Sequence, residues 1–401
     1  MITKTTRMAG WALAGLLAFG ILTLWVRERW AVAVFQGGVL LLTLAWLWMN
    51  VWLKSPLRWD KLLIPLALPP VLGATQLAAG WTVLPWFTVE STAEWLVVFC
   101  AVFLLVQVLP DMEFQRALRT AVLGFATLIA VVAVLQVFTS QGKAFWVFET
   151  GYDSDVLGPF VYRNKYAQFV ELVFPLALWR AMVDRRRAPL YLTAGAVMAA
   201  GVVAGASRSG ASFLLVEIAL VLLAGWLRKA ISGRGALLIA GQAGALVVAW
   251  GFVAGWDFFW QRLTGLDPVQ DFRWPIMRST LDMIRQRPWT GFGQGTWPMV
   301  YPQFATFDIG VVVNQAHCDW LQWAAEGGLP LLAAVLAAFG TLLGRLIRSV
   351  WGIGFLVVGV HAMVDYPFHQ LPAFHTFLWC IGVLAAAKNG FDPSRPQDSG
   401  F

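Results

Sequence analysis

Apolar residues gather in this chain into runs of roughly 17 to 25 residues, the length a helix needs to cross bilayer hydrocarbon, with short polar segments between them. The runs fall at 8–26, 30–53, 62–80, 93–109, 120–138, 166–183, 188–206, 211–227, 236–256, 319–343, 349–367 and 371–387. The pattern predicts about twelve transmembrane helices, some interrupted by Pro65, Pro69, Pro70 and Pro367. Such kinks are tolerated in lipid where neighbours satisfy the freed backbone groups. One long polar segment, 257–316, breaks the series and closes on His317.

Composition narrows the class. With 59% hydrophobic and 13% charged residues and a mean hydropathy of +0.68, 401 residues cannot fold as a water-soluble globule. The expectation is an all-α, polytopic integral membrane protein with one long outer loop carrying amphipathic helices. Lys4 and Arg7 precede the first run, which is longer than the core of a secretory signal and is read as a retained helix.

Lysine and arginine are retained in short cytoplasmic loops. Placing the amino terminus inside puts eighteen of the twenty-nine basic residues on the inner side. Arg27, Arg29, Arg208, Lys143, Arg163 and Lys165 then lie outside, and Arg262, Arg273, Arg278, Arg285 and Arg287 concentrate in the long loop against the rule. The net charge of +7 is topology plus this cluster, with no nucleic-acid signature. Cys100, Cys318 and Cys380 lie apart, without the spacing of a disulfide framework or thiol metal site. His317, Cys318 and Asp319 are consecutive, and helical neighbours point about 100° apart, so no metal is implied.

Three outer segments carry candidate chemistry. In Gly158-Pro-Phe-Val-Tyr-Arg163-Asn164-Lys165, Asn164 either orients a sugar or phosphate or caps the following helix. It shares a helix face with Glu171, seven residues on. Ser207-Arg208-Ser209-Gly210 holds an arginine between two hydroxyls, and a guanidinium suits phosphate because it keeps its charge when partly desolvated. In the long loop, Trp274, Met277, Leu281 and Ile284 recur at helical spacing behind Pro275, an amphipathic helix able to lie on the bilayer. Arg278, Arg285 and Arg287 suit headgroups, whereas Arg273 is free to enter a cavity. The glycines of Pro288-Trp-Thr-Gly291-Phe-Gly293-Gln-Gly295 lack the βαβ setting of a nucleotide fingerprint and permit a tight chain reversal.

These segments together resemble the O-antigen ligase and polymerase superfamily of bacterial envelope glycosyltransferases. The matching elements are Gly158-Pro-Phe with Asn164, Ser207-Arg208-Ser-Gly, Arg273 followed by Leu281-Asp-Met-Ile, Pro288-Trp-Thr-Gly291-Phe-Gly293, and His317 with Leu321 and Glu326-Gly327, spread over about residues 155–380. The resemblance implies a GT-C-like fold with residues 1–150 as amino-terminal helices, 151–390 as catalytic membrane domain and 391–401 as cytoplasmic tail. It implies transfer of a glycan from undecaprenyl diphosphate to an acceptor hydroxyl on the periplasmic face, with inversion and with no metal or other cofactor. His317 would be the base and Arg208 and Arg273 the groups stabilising the leaving diphosphate. Arg163, Asn164, Trp274, Arg278 and Glu326 are assigned to substrate binding or its support.

The expected partners are the lipid-linked donor, lipid A core or another glycan as acceptor, and membrane lipids. A repeat-unit polymerase is the alternative within the class. A lipid-linked sugar flippase, with Glu171, Glu217 and Glu326 handling protons, is the alternative outside it. His361 and Asp365 are read as a hydrogen-bonded pair on one helix face that fixes packing, with a second proton relay as the alternative, Glu217 as paired with a basic or polar group of a neighbouring helix, and His369 and His375 receive no role.

Overall fold

The computed structural model describes residues 3–151, 156–241, 272–308 and 310–387. Among the described residues, eight fully described helices precede the long polar segment: α1 (Lys4–Leu22), α2 (Arg29–Trp52), α3 (Leu63–Ala78), α4 (Pro85–Val108), α5 (Met112–Thr139), α6 (Arg163–Val183), α7 (Ala188–Ala204) and α8 (Arg208–Leu227). The described part of that segment holds α9 (Arg273–Gln286) and the single turn α10 (Trp297–Val300). It is followed by α11 (Asp319–Leu346), α12 (Gly352–His361) and α13 (Pro372–Ala386). A hairpin of two-residue strands, β1 (Lys143–Ala144) and β2 (Phe148–Glu149), is the sole addition to the all-α expectation among the described residues.

Local chemistry sets several helix starts. The Asp111 carboxylate accepts from the amides of Glu113 and Phe114 at 3.1 Å each, and Ser207 Oγ accepts from Gly210 N at 3.1 Å, each satisfying amides that a helix start leaves orphaned. Among the described residues, seven helices are long and apolar enough to cross a membrane: α1, α2, α4, α5, α6, α8 and α11. The apolar helices α3, α7, α12 and α13 are shorter. Of the expected 236–256 span, 236–241 are helical and the rest lies outside the described residues, as do 257–271 and Arg262 of the long loop.

Helix α6 is the axis of the bundle. Its apolar window is 89% buried, against 22 to 44% for the other six long helices. Helices α5, α7, α8, α12 and α13 all pack on it. Contacts between loops sort them into two ends. At one end Arg345 grips Asp60 with two bonds of 2.7 and 3.0 Å, Arg7 pairs with Asp111 and Glu113, and Arg228 reaches the Arg348 carbonyl. At the other, Arg29 pairs with Glu90, Arg27 donates to the Thr150 carbonyl, and Val83 N bonds Phe292 O. The positive-inside count divides the loops into the same two sets.

Two predicted spans come out differently. Helix α12 ends at His361 rather than continuing towards 367, so His361 and Asp365 do not share a helix face. The amides of Val364 and Asp365 close instead on the His361 carbonyl, both at 3.0 Å, in a turn before Pro367. Helix α11 is broken at Gly328, whose φ of 69° and ψ of −175° are not helical. The glycine segment 291–295 fills that break. Phe292 N donates to Ala325 O at 3.1 Å, Gly293 N to Glu326 O at 2.9 Å, and Leu329 N to Pro288 O at 2.7 Å. Gln76 of α3 donates to Glu326 O at 2.9 Å and accepts from Gln294 N at 3.0 Å. A broken helix at membrane depth requires such partners. The expected chain reversal is therefore also a graft into α11.

Helix α9 packs on this graft through a face that the apolar spacing alone does not select. Ile276, Thr280 and Met283 are buried beside Phe292, Trp297, Val300 and Tyr301, and Trp297 Nε1 donates to Thr280 Oγ1 at 3.2 Å. Of the predicted face, Met277 is buried and Ile284 partly so, but Trp274 is 73% and Leu281 37% exposed. The helix has a protein surface beneath it, and that surface takes 276, 280 and 283, one helical stripe, leaving Trp274 and Leu281 outward.

Gly291 tests the graft. Its φ is +62° and an added Cβ would stand 2.2 Å from the Glu326 carbonyl oxygen. Gly291→Ala should cost at least ~2 kcal/mol, since left-handed backbone alone carries about 1–3 for other residues. A lowered melting temperature in detergent, with no loss in Gly124→Ala where open space surrounds the position, is the expected result.

Candidate functional site

The amino-terminal end of α6 holds Asn164, which is buried and uses both ends of its amide. Nδ2 donates to Asp365 Oδ2 at 2.7 Å, and Oδ1 accepts from Ser207 Oγ at 2.8 Å. The cap position of α6 is Tyr162, which makes no side-chain cap bond, so the capping alternative for Asn164 does not hold. Asn164 ties α6, the start of α8 and the turn after α12 together. Arg163 and Arg208 are the first residues of α6 and α8 and so flank this tie.

Asp365 is the centre of the cluster and is fully buried. Tyr366 N donates to its Oδ1 at 2.9 Å, and His361 Nε2 lies 3.9 Å from Oδ2. Burial alone would raise its carboxyl; Lys165 first, then His361, Arg273 and His317, outweigh that and hold it below the ordinary carboxylate value. Lys165 lies over the Tyr366 ring, 3.4 Å from its centroid, and donates to the Tyr366 carbonyl at 3.3 Å. The His317 ring meets Tyr366 edge-on at 5.2 Å. Arg273 donates from Nη1 to the Val364 carbonyl at 2.9 Å.

His317 sits in left-handed backbone, φ 54°, a conformation that persists in a non-glycine residue only where its surroundings enforce it. They do so on both sides. Ala316 N donates to Gln322 Oε1 at 2.9 Å and Asp319 N to the Ala362 carbonyl at 2.9 Å. Burial pushes the imidazole down to about 4, the cations of Arg273 and Lys165 push the same way, and Asp365 opposes them. His317 is thus neutral at ordinary pH, and its buried Nδ1 makes no hydrogen bond. The buried Nε of Arg273 is also unpartnered. Buried polar atoms without partners are uncommon and call for an explanation.

The other predicted residues fall elsewhere. Glu326 is 2% exposed and holds the graft: its Oε2 accepts from Gly295 N at 2.9 Å and Oε1 from Gln322 Nε2 at 3.1 Å. Arg278 is exposed on the outward side of α9, and Arg285 pairs with Asp282 at 2.7 Å. Arg287 is not a headgroup residue: it donates to the Trp81 carbonyl at 3.3 Å and covers the Phe292 ring at 4.7 Å. Glu217 has neither the basic nor the polar partner expected of it, for both its buried oxygens lack a hydrogen bond.

Two histidines left without a role hold the surroundings. His369 Nδ1 lies 2.5 Å from Asp319 Oδ1 and Nε2 3.7 Å from Glu326 Oε2. Burial would lower it, but Asp319 first and then Glu326 raise it to about 10, making it an imidazolium between two carboxylates of α11. His375 Nδ1 bonds Glu94 at 2.6 Å and accepts from Trp379 Nε1 at 3.1 Å through Nε2. Spacing hides both, because the partners are remote in sequence. Lys165 was visible beside Asn164, but its contact with Tyr366 was not.

Because the folded pKa of His369 exceeds the unfolded value near 6.5, its stabilisation should be complete below pH 6.5 and fade as pH rises through about 10. Melting in detergent across that interval should show the decline, and His369→Gln should flatten it.

Residues 193–336 match the family described as O-antigen ligase, a stretch holding Arg208, Arg273, His317 and Glu326 but not Asn164 or Asp365. The match is narrower than the 155–380 over which motifs were recognised. No curated protein matches the chain. Ligase- or polymerase-type transfer in polysaccharide assembly, acting on a lipid-linked glycan and a glycan acceptor, is the activity that goes with this family. The chain thus has seven helices, among the described residues, long and apolar enough to cross a membrane, and over residues 193–336 it is similar to the O-antigen ligase family.

Proposed function

We propose that the protein transfers a glycan from undecaprenyl diphosphate to an acceptor hydroxyl at the periplasmic face, with lipid A core as the acceptor. The observation that carries the reading is the pairing of a neutral imidazole, His317, whose Nδ1 makes no hydrogen bond, with a guanidinium, Arg273, whose Nε makes none, around one buried carboxylate. The sidedness rests on the basic residues, most of which lie at the opposite end of the bundle. The catalytic domain is assigned to 151–390.

In this reading His317 accepts the proton of the acceptor hydroxyl while its oxygen attacks the anomeric carbon, and the bond to the diphosphate breaks with the electron pair leaving on phosphate. Direct displacement inverts the centre. Arg273 and Arg208 meet the charge that grows on the diphosphate, and fixed cations in a water-poor site are effective because they need no reorganisation. Their charge takes the part that a divalent ion plays elsewhere.

Donor binding also primes the base. Arg273 and Lys165 depress His317; a diphosphate seated among them offsets that charge and restores the imidazole's affinity for a proton. Asn164 and Glu326 act as positioning residues, one fixing Asp365 and the other the graft behind His317. Trp274 and Leu281, exposed on α9, suit the lipid interface.

In proteoliposomes with a lipid-diphosphate glycan and lipid A core, His317→Ala should lower transfer by ~10²–10⁴, the usual worth of a proton-transfer group, with the melting temperature kept. Lipid movement without glycosidic bond formation would overturn the reading in favour of a flippase, and transfer only to a second glycan repeat would make it a polymerase. The acid limb of free-enzyme kcat/KM should lie near 4 and not at the 6.5 of an unperturbed histidine. Arg273→Gln should move that limb upward, because a cation that depresses His317 is removed.

A further inference from the structure

Beneath the cluster, three titratable side chains run into the bundle without a role in the transfer step. His361 Nδ1 lies 3.0 Å from both carboxylate oxygens of Glu171 on α6. Its other nitrogen, Nε2, has no hydrogen bond and stands 3.9 Å from Asp365 Oδ2. One imidazole therefore bridges a carboxylate inside the bundle and the carboxylate at the centre of the outer cluster. Glu217 on α8 follows, within electrostatic reach of Glu171 and with both oxygens unpartnered. Glu171, Glu217, His361 and Asp365 are each 1% exposed or less.

Unpaired charge at such depth is costly, and a carboxylate without a partner sheds that cost by carrying a proton. Packing encloses the row. The Phe213 ring of α8 lies 4.5 Å from His361, and Gly354 of α12 abuts the Glu171 backbone, where a Cβ would meet the carbonyl oxygen at 2.3 Å. The charged groups facing His361 are Glu171 from α6, Asp365 from its own turn and Arg273 from α9. Those facing Asp365 also include Lys165 and His317.

We propose that Asp365, His361, Glu171 and Glu217 form a buried proton relay that receives the proton His317 takes from the acceptor and returns it outward once the diphosphate has left. The balance is simple. The hydroxyl O–H bond breaks at His317, the proton passes to Asp365 and on to His361 Nε2, and His361 gives up its Nδ1 proton to Glu171. Glu217 holds a proton at rest and exchanges it with Glu171. No oxidant, reductant or ion is needed, and one proton leaves per glycosidic bond formed. The catalytic use of the relay rests on the function proposed above; its existence does not.

Proton exchange tests the relay apart from activity. The intact protein in lipid vesicles is moved into D2O, and the infrared carbonyl stretch of a protonated carboxylic acid is followed. The band should be present, disappear in Glu217→Gln, and exchange at least about tenfold more slowly in Glu171→Gln, His361→Gln and Asp365→Asn. Absence of the band, or exchange at the wild-type rate in all three, overturns the proposal. Glu217→Gln has no hydrogen-bond partner to lose, so it remains informative should Glu171→Gln fail to fold. In the transfer assay Glu171→Gln and Glu217→Gln should lower kcat about tenfold with donor KM unchanged and should raise the solvent isotope effect. Wild-type kcat and isotope effect in both also overturn it. If His317→Ala transfers normally while the exchange pattern holds, the functional reading fails and the relay stands.

Discussion

The end of the bundle that holds His317 depends on one buried carboxylate. Asp365 lies in a turn without regular structure, yet an amide from α6, the amide of Tyr366, the charges of Lys165 and Arg273 and the rings of His317 and His361 converge on it. A buried carboxylate is tolerable only with such company. The cost of burying Asp365 is offset by cations that would otherwise repel one another. Remove the carboxylate and two positive groups, Lys165 and Arg273, face one another in a buried site; remove the cations and the carboxylate is stranded. The end of α6, the start of α8, the turn after α12 and the start of α9 are thereby held in one arrangement.

A second constraint supports the first from behind. The break in α11 leaves backbone groups that lipid cannot satisfy, and the glycine segment supplies partners for them. Gly291, Gly293 and Gly295 are needed because the chain enters with positive φ and with neighbouring atoms too close for a Cβ. Glu326, Gln322 and His369 tie this graft to the first turn of α11, two residues after His317. The strained backbone of His317 is held in place by this frame. Two histidines therefore take opposite charge states within a few residues of the same helix end: His317 neutral among cations, His369 charged between carboxylates.

Chemistry and packing meet at α6. The helix is nearly enclosed, so the polar residues it carries must be satisfied by other helices, and Asn164 and Glu171 are. Their seven-residue separation places them on one face, and the partners on the opposing chain, Asp365 and His361, run in the matching order. The outer cluster and the buried row beneath it are thus one continuous strip of polar contacts.

Much of this was legible in the chain. Apolar run lengths located the helices, the distribution of lysine and arginine divided the loops into two sets that the tertiary contacts reproduce, and rare ionisable residues among apolar ones, read together with a family resemblance, made Arg208, Arg273 and His317 candidates. These signals are local: length, periodicity and charge count need no knowledge of what lies across the bundle. What the tertiary structure alone decided was partnership. Nothing near Asp365 in sequence announces Asn164, nothing near Gly328 announces the segment that fills its break, and the inward face of α9 was chosen by the surface beneath it. Hydrogen bonds and ion pairs in a membrane bundle form between residues one or two hundred positions apart, so a residue's type can be read from the chain while its partner is fixed only when the helices pack.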